Sequence, residues 1–247
     1  MVEQGAGQSA QPESRPPVSI TVFFPCYNEQ DNVAKVAEQA VQVLEALQAD
    51  YEVIIVDDGS SDNTGPNADR LAAQHARVRV IHHPRNLGYG AALQSGFRAA
   101  TRELVFHTDG DAQFDLAELP ALLPLTQEYD IVCGYRMNRQ DNALRRMNGW
   151  LWTKMVGMLF SLRLRDIDCA FKLYKRAIFD QIRMESTGAL ISTEILARAV
   201  KKGYTITEVG VHHYPRTAGR PTGGNPRVIL RAFKELLQLR RRILTGQ

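Results

Sequence analysis

Short runs of β-branched and aromatic residues alternate with stretches of helical apolar spacing across residues 18–108, and no other feature constrains the fold as strongly. Residues 18–24 are an apolar run ending at Pro25, the mark of a buried strand. Val33, Val36, Ala37, Ala40, Val43, Leu44 and Leu47 then recur at helical spacing, with Asn28 as the candidate N-cap and Asp31 in an acidic first turn. The pattern repeats: a strand at 51–56, a helical stretch at 69–76, a strand at 78–82, a Gly-rich loop into a helix at 91–100, and a strand at 104–108. Further strands are read at 130–134 and 205–213, with a helix beginning near Ser192. This order predicts an α/β fold with a mostly parallel, Rossmann-like sheet and helices on both faces. Ligands of such sheets gather beyond the carboxyl ends of the strands, where the polar clusters 25–29, 57–64 and 109–115 stand.

A chain of 247 residues with 44% hydrophobic content can bury one substantial core. The expected division is a disordered tail at 1–17, a catalytic domain at 18–222 and a basic amphipathic helix at 223–247. Cys26, Cys133 and Cys169 form no CxxC pair, which argues against a disulfide framework or a cysteine zinc site and makes a reducing cytoplasm the simplest home. The formal charge of +3 is uneven: residues 226–247 carry +5, leaving −2 for the rest. That distribution argues against a nucleic-acid-binding surface and for one basic element facing a membrane. The apolar run at 150–164 contains Lys154 and Arg163 and is shorter than the ~20 residues of a spanning helix, so membrane contact is expected to be peripheral.

Asp109, Asp111 and Gln113 place two carboxylates and an amide at alternate positions after a strand, where three oxygens can share a hard cation such as Mg2+ or Mn2+. On its own the pair is equally an ordinary Asp/Gly turn. Asp57 and Asp58 follow a buried strand and can accept hydrogen bonds from a nucleobase or ribose, while Ser60, Ser61 and Asp62 suit a helix cap. Arg85 and the glycines of Asn86-Leu87-Gly88-Tyr89-Gly90 open a helix that can receive phosphate or ribose oxygens or simply make a turn; Leu93 stands where a dinucleotide fingerprint needs its third glycine. Arg136, Arg145 and Arg146 precede the aromatic-rich stretch GWLWTKMVGMLF, an arrangement suited to a lipid phosphate. Arg216 stands before the Gly/Pro-rich loop TAGRPTGGNP, which could close over a substrate, and joins the acceptor-phosphate candidates. His212 and His213 point to opposite faces of a strand and are read as structural. Asp166, Asp168 and Glu194 complete the acidic candidates.

Together, FFPCYNE, VDDGSSDNT, RNLGYGAAL, DGDAQFD, RDIDCAFKLYKR and EVGVHHYPRTAGRPT resemble, in order and spacing, glycosyltransferase family 2 in its polyprenyl-phosphate mannosyl- and glucosyltransferase branch, over residues 18–222. The resemblance implies a GT-A fold, inversion at the sugar, a GDP- or UDP-activated donor and Mg2+ or Mn2+. It also implies Pro25, Tyr27, Asn28, Glu29 and Asp57 around the nucleotide, Asp109, Asp111 and Gln113 at the metal, and Arg136 with Arg145 or Arg146 at the acceptor phosphate. Family members often carry a Ser after the arginine pair, where this chain has Asn148 nearby. Multi-span relatives carry C-terminal membrane helices, in place of which this sequence shows one basic amphipathic stretch.

The expected reaction is hexose transfer from a nucleotide diphosphate sugar to a polyprenyl phosphate. Asp111, Asp168 and Glu194 are the catalytic candidates. A phosphate acceptor is already anionic, whereas a hydroxyl acceptor on a glycan would need Asp168 or Glu194 as base. A non-catalytic nucleotide-sugar-binding protein is the outlying alternative. Ile229, Ala232, Phe233, Leu236, Leu237, Ile243 and Leu244 form one helical stripe, with Arg231, Lys234, Arg241 and Arg242 largely off it. That pattern predicts a helix lying in an anionic membrane interface, the competing expectation being a stripe packed on the catalytic domain or a second subunit. Oligomeric state is not legible.

Overall fold

The computed structural model describes residues 17–137, 143–216 and 226–245. The segment expected as an N-terminal tail and the loop 217–225 lie outside the described residues, apart from Pro17. The elements in chain order are β1 (Ser19–Cys26), α1 (Val33–Ala46), β2 (Asp50–Asp57), α2 (Thr64–Gln74), β3 (Val78–His82), α3 (Tyr89–Ala99), β4 (Leu104–His107), β5 (Ile131–Met137), α4 (Ala143–Phe160), β6 (Lys172–Lys175), α5 (Ile178–Gln181), α6 (Ile191–Lys201), β7 (Ile206–His212) and α7 (Pro226–Thr245).

The strands form one sheet in the order β3-β2-β1-β4-β6-β5-β7. All pairs are parallel except those of β6, which runs antiparallel to β4 and β5. Alternation along each strand feeds two cores. Ile20, Val22, Phe24, Val53 and Ile55 face the layer of α1 and α2. Phe23, Ile54 and Val56 face the layer that holds α3, α4 and α6. Strands buried on both faces read as continuous apolar runs, which is why β1 and β2 stand out in the sequence.

Two local expectations are corrected, and one strand is added. Asn28 is not the cap of α1: it takes a left-handed φ of 57°, its side chain accepts the Ser61 N–H at 2.9 Å, and the helix begins only after Asn32. Ser60 and Ser61 do not cap α2; they tie to Asn28, while Asp62 accepts the Thr64 N–H at 2.9 Å. Strand β6 had no counterpart in the sequence pattern, because four residues flanked by lysines carry too little periodicity to declare themselves.

Over its described side chains, α7 matches the competing expectation of a stripe packed on the catalytic domain. Leu236, Leu239 and Ile243 are buried, Leu239 and Ile243 pack on Ala197 of α6 and Phe160 of α4, and Lys201 donates to the Ile243 carbonyl. Among the described side chains of α7, the apolar positions Leu236, Leu239 and Ile243 are covered by the protein itself, and Leu237 is exposed. Side chains 226–234 and 244, and with them Ile229, Ala232, Phe233 and Leu244, lie outside the description. Helix α4 does the opposite: Met147, Trp150, Leu151 and Met158 are exposed at helical spacing while Val156 and Thr153 face inward.

Candidate active site

The loops after β1 and β2 are laced into one unit. Asn28 N–H donates to Ser60 Oγ at 3.0 Å, Glu29 N–H to Thr64 Oγ1 at 2.7 Å and Gln30 N–H to Asp62 Oδ2 at 3.2 Å. Tyr27 stays exposed on the rim. Pro25 is buried beneath the next loop, where a Cβ on Gly110 would lie 2.7 Å from the Pro25 carbonyl and 2.6 Å from Cys26 Sγ. Only glycine lets Asp109 and Asp111 sit so close to the end of β1.

Asp57 and Asp58 are each held by a histidine at the end of β3, His82 the last residue of the strand and His83 the one after it. Asp57 Oδ1 accepts the Ser60 N–H at 3.0 Å and Oδ2 lies 2.9 Å from His82 Nδ1. Burial pulls the Asp57 pKa upward, but the bonds from Ser60 and His82 outweigh it and hold the carboxyl below its ordinary value. Asp58 lies 2.6 Å from His83 Nδ1 and accepts the Leu87 and Gly88 N–H groups, each at 2.9 Å. At Gly88, φ is 99° and an added Cβ would stand 2.7 Å from the Thr187 carbonyl.

At the end of β4, Tyr89 Oη donates to Asp109 Oδ1 at 3.0 Å. Gln113 turns its Nε2 to the Tyr214 carbonyl at 2.8 Å, and its N–H reaches Asp111 Oδ1 at 3.2 Å. Arg216 forms an ion pair with Glu29 and lies 3.6 Å from Asp111 Oδ2. Burial raises the Asp109 pKa, and burial together with the neighbouring Asp109 pushes Asp111 up to about 6. Two carboxyls crowded in a poorly solvated pocket are in a state a divalent cation would relieve. Among the described residues no three His, Cys, Asp or Glu side chains form a ready-made cage. The oxygen-only set of Asp109, Asp111 and Gln113 fits a hard ion that completes its shell with ligand oxygens and water.

On the far side of this edge, Arg136 and Asp166 meet as a fork, Nε to Oδ2 at 2.6 Å and Nη2 to Oδ1 at 2.8 Å. Asp168 is exposed, and its charge is felt by both Tyr89 and Arg136. The side chains of Arg145 and Arg146 lie outside the description.

Residues 21–183, well over half of the chain, match glycosyl transferase family 2. The chain belongs to that family. It is 28% identical over 226 residues to the dodecaprenyl-phosphate galacturonate synthase of Rhizobium johnstonii, covering 90% of this chain and 65% of that protein. The chain thus spans just under two thirds of that relative's length. Glucosyl-3-phosphoglycerate synthase from Mycobacterium tuberculosis, solved with phosphoglyceric acid, superposes with a TM-score of 0.65 at 18% identity, over 92% of this chain and 78% of that one. The same enzyme with Mn2+, uridine diphosphate and glucosyl-3-phosphoglycerate gives 0.65 at 17% identity, over 92% and 77%. The mixed seven-stranded sheet is therefore the GT-A arrangement of glycosyltransferases.

Within this family member, three candidate residues are engaged inside the protein in ways the sequence did not suggest. Glu194 is fully buried; its Oε2 accepts the Glu185 and Ser186 N–H groups at 3.0 and 2.7 Å and its Oε1 the Arg198 Nε at 2.9 Å. A carboxylate so enclosed pins the 185–188 loop and has no path to a substrate proton. Gly88 is a turn, not a phosphate cradle, because the first amides of α3 already have partners: Gly90 and Ala91 donate to the Thr187 carbonyl at 2.9 and 3.3 Å. Arg85 is exposed beside that turn. Arg216, expected at an acceptor phosphate, sits instead on Glu29 and Asp111.

Lys172 went unnoticed. It is fully buried, donates to the carbonyls of Ile167 (3.0 Å) and Cys169, and its charge lowers the pKa of Asp109 against the larger upward effect of burial. It thereby ties down the turn that carries Asp166 and Asp168. A lysine between Phe171 and Leu173 was the available signal.

Proposed function

We propose that this family 2 member moves a hexose from a nucleotide diphosphate sugar of the GDP-mannose or UDP-glucose type to a polyprenyl phosphate, with inversion, at a membrane surface. The observation that carries the acceptor is the exposed apolar face of α4, with Trp150 at 60% and Met158 at 80% exposure, placed directly after the strand that ends at Arg136 and Met137. The 28% identity to a dodecaprenyl-phosphate sugar synthase supports it, as does the Mn2+ and uridine diphosphate held by a structural neighbour. Among the described residues no helix is long and apolar enough to cross a membrane, so attachment through α4 is peripheral.

Asp57, Asn28 and Tyr27 are assigned to the nucleotide, and Asp109, Asp111 and Gln113 to Mg2+ or Mn2+. Such an ion, when bound, stabilises the negative charge that grows on the leaving diphosphate. Arg216 adds a second positive charge at the same edge. Arg136, held flat by Asp166, presents its remaining N–H donors to the acceptor phosphate. That phosphate is an anionic nucleophile and requires no base. Asp168, exposed within electrostatic reach of Tyr89 and Arg136, is the observation favouring the alternative of a hydroxyl acceptor.

The test is a screen of nucleotide sugars with a short polyprenyl phosphate or neutral sugars as acceptor. Nucleoside diphosphate release with sugar appearing on the lipid phosphate is expected; transfer confined to hydroxyl acceptors overturns the reading. Asp111→Asn, which removes a charge at constant volume, should abolish transfer with no loss of thermal stability.

A further inference from the structure

The ring of His82 lies between two carboxylates from two different elements. Its Nδ1 is 2.9 Å from Asp57 Oδ2 on β2 and its Nε2 is 2.9 Å from Asp69 Oδ1 on α2. A neutral imidazole has one N–H, so one of these contacts would set a nitrogen lone pair against a carboxylate oxygen. Only the imidazolium donates to both. The register pairs Asp57 with His82 across β2 and β3. Gly65, in the first turn of α2, leaves room for the contact: a Cβ there would lie 2.9 Å from Asp57 Oδ2 and 3.5 Å from His82 Cε1. Asp57 and Asp69 are the charged groups that act on the ring. His83, next in the chain, is different. It faces one carboxylate, Asp58, and one hydroxyl, Ser95, at 2.6 and 2.8 Å, which a neutral ring satisfies.

We propose that His82, as a cation shared between Asp69 and Asp57, is a positioning residue for the donor: it holds the Asp57 carboxylate ionised and fixed in plane for hydrogen-bond donors on the nucleobase or ribose. The inference rests on the assignment of Asp57 to the nucleotide made above. It goes further in making Asp69, exposed on the outer side of α2, a remote determinant of donor affinity. The bonds to Asp69 and then Asp57 raise the His82 pKa, with burial opposing them. The sign follows: the cation, and the donor affinity it supports, is present at lower pH and is lost as pH rises through that raised value.

The experiment is titration of the full chain with uridine and guanosine diphosphates plus Mn2+, from about pH 6 to 9, alongside NMR titration of the imidazoles. Wild type should bind one of the nucleotides and lose affinity several-fold toward high pH. Asp69→Asn leaves Asp57 untouched; it should lower the His82 pKa and move the fall in affinity to lower pH, with the low-pH affinity retained. His82→Gln should weaken binding roughly tenfold, as expected for one charge-assisted hydrogen bond, and flatten the pH profile. In turnover, the donor KM should rise while kcat and the acceptor KM hold. If wild type binds but Asp69→Asn keeps both its affinity and its pH profile, the inference is overturned and the proposed function stands. If wild type binds neither nucleotide, both fall.

Discussion

Helices α4 and α7 each join an apolar stripe to basic residues, yet the structure treats them in opposite ways. In α7 the described apolar positions are mostly inside, with Leu236 at 1% and Leu239 at 2% exposure. In α4, Trp150 and Leu151 stand out at 60% and 58%. Periodicity states that a face must be covered, not what covers it. What covers α7 is a partner surface of matching shape, with small Ala197 and the Phe160 ring receiving Leu239 and Ile243. An Arg242–Glu185 contact of 3.4 Å adds a weak tie at the rim. In helix α4, Trp152, Met155, Val156, Leu159 and Phe160 join the core, while among the described residues Met147, Trp150, Leu151 and Met158 stay exposed. One helix docks described apolar side chains on the protein, and the other leaves Met147, Trp150, Leu151 and Met158 exposed, the face assigned above to the membrane in the proposed function.

The largest expected effect undocks α7. Leu239→Ala removes a buried side chain between α6 and α7 and should destabilise the fold by about 2–5 kcal/mol, read from the shift of the thermal or denaturant midpoint, while adsorption of the surviving folded protein to anionic vesicles is unchanged. A variant as stable as wild type would mean that α7 is not docked as described.

Next comes the outward face. Trp150→Ala combined with Leu151→Ala should cut affinity for vesicles of mixed neutral and anionic phospholipid by at least about tenfold, since each fully inserted side chain contributes roughly 1.5–3 kcal/mol. Stability should move by less than about 0.5 kcal/mol because neither side chain is in the core. Transfer to a short, water-soluble acceptor should persist. Vesicle binding that survives this change would remove α4 from the interface.

The contrast also separates what a sequence reveals from what it hides. Strands β1 to β4 and their intervening helices were legible because each is a local periodic pattern. Asp109, Asp111 and Gln113 stand out by alternate spacing, but residues 110–112 form a turn with Ala112 at a left-handed φ of 58°, so the extended segment that the spacing assumed is not there. The four-residue strand β6 is recognisable only through its antiparallel pairing with β4 and β5. Glu194 offered an acid's chemistry, but the amides of Glu185 and Ser186 that occupy it are set by tertiary folding. Arg216 meets Glu29 across 187 residues of chain, a distance over which no spacing rule operates. His82 and His83 also carry a local signal: a His pair at the end of β3 beside an Asp pair at the end of β2, with His82 in register with Asp57.

A smaller effect sharpens the picture of α4. Lys154 is exposed on the same helical face as Met147, Leu151 and Met158, where its stem can lie along the apolar stripe while the ammonium reaches lipid headgroups. Lys154→Gln should weaken binding to anionic vesicles about fivefold, corresponding to about 1 kcal/mol per cation at a charged surface, and leave binding to neutral vesicles unchanged. An equal loss on both would mean the side chain acts through packing.

The smallest effect is expected on the outer side of α7. Leu237 is 62% exposed, flanked along the helix by Leu236 and Leu239, which are buried, and by Arg240 and Arg241, which are exposed. An exposed leucine on a surface needs no partner, and the burial of Leu236 and Leu239 turns Leu237 away from α6. Leu237→Ala should change stability by less than about 0.5 kcal/mol and vesicle affinity by less than about twofold, because one leucine beside the exposed Arg240 and Arg241 offers little apolar area to insert. Measured beside the Trp150/Leu151 double variant on the same vesicles, a larger loss from Leu237→Ala would reverse the assignment, making α7 the attachment and α4 a surface without a membrane role.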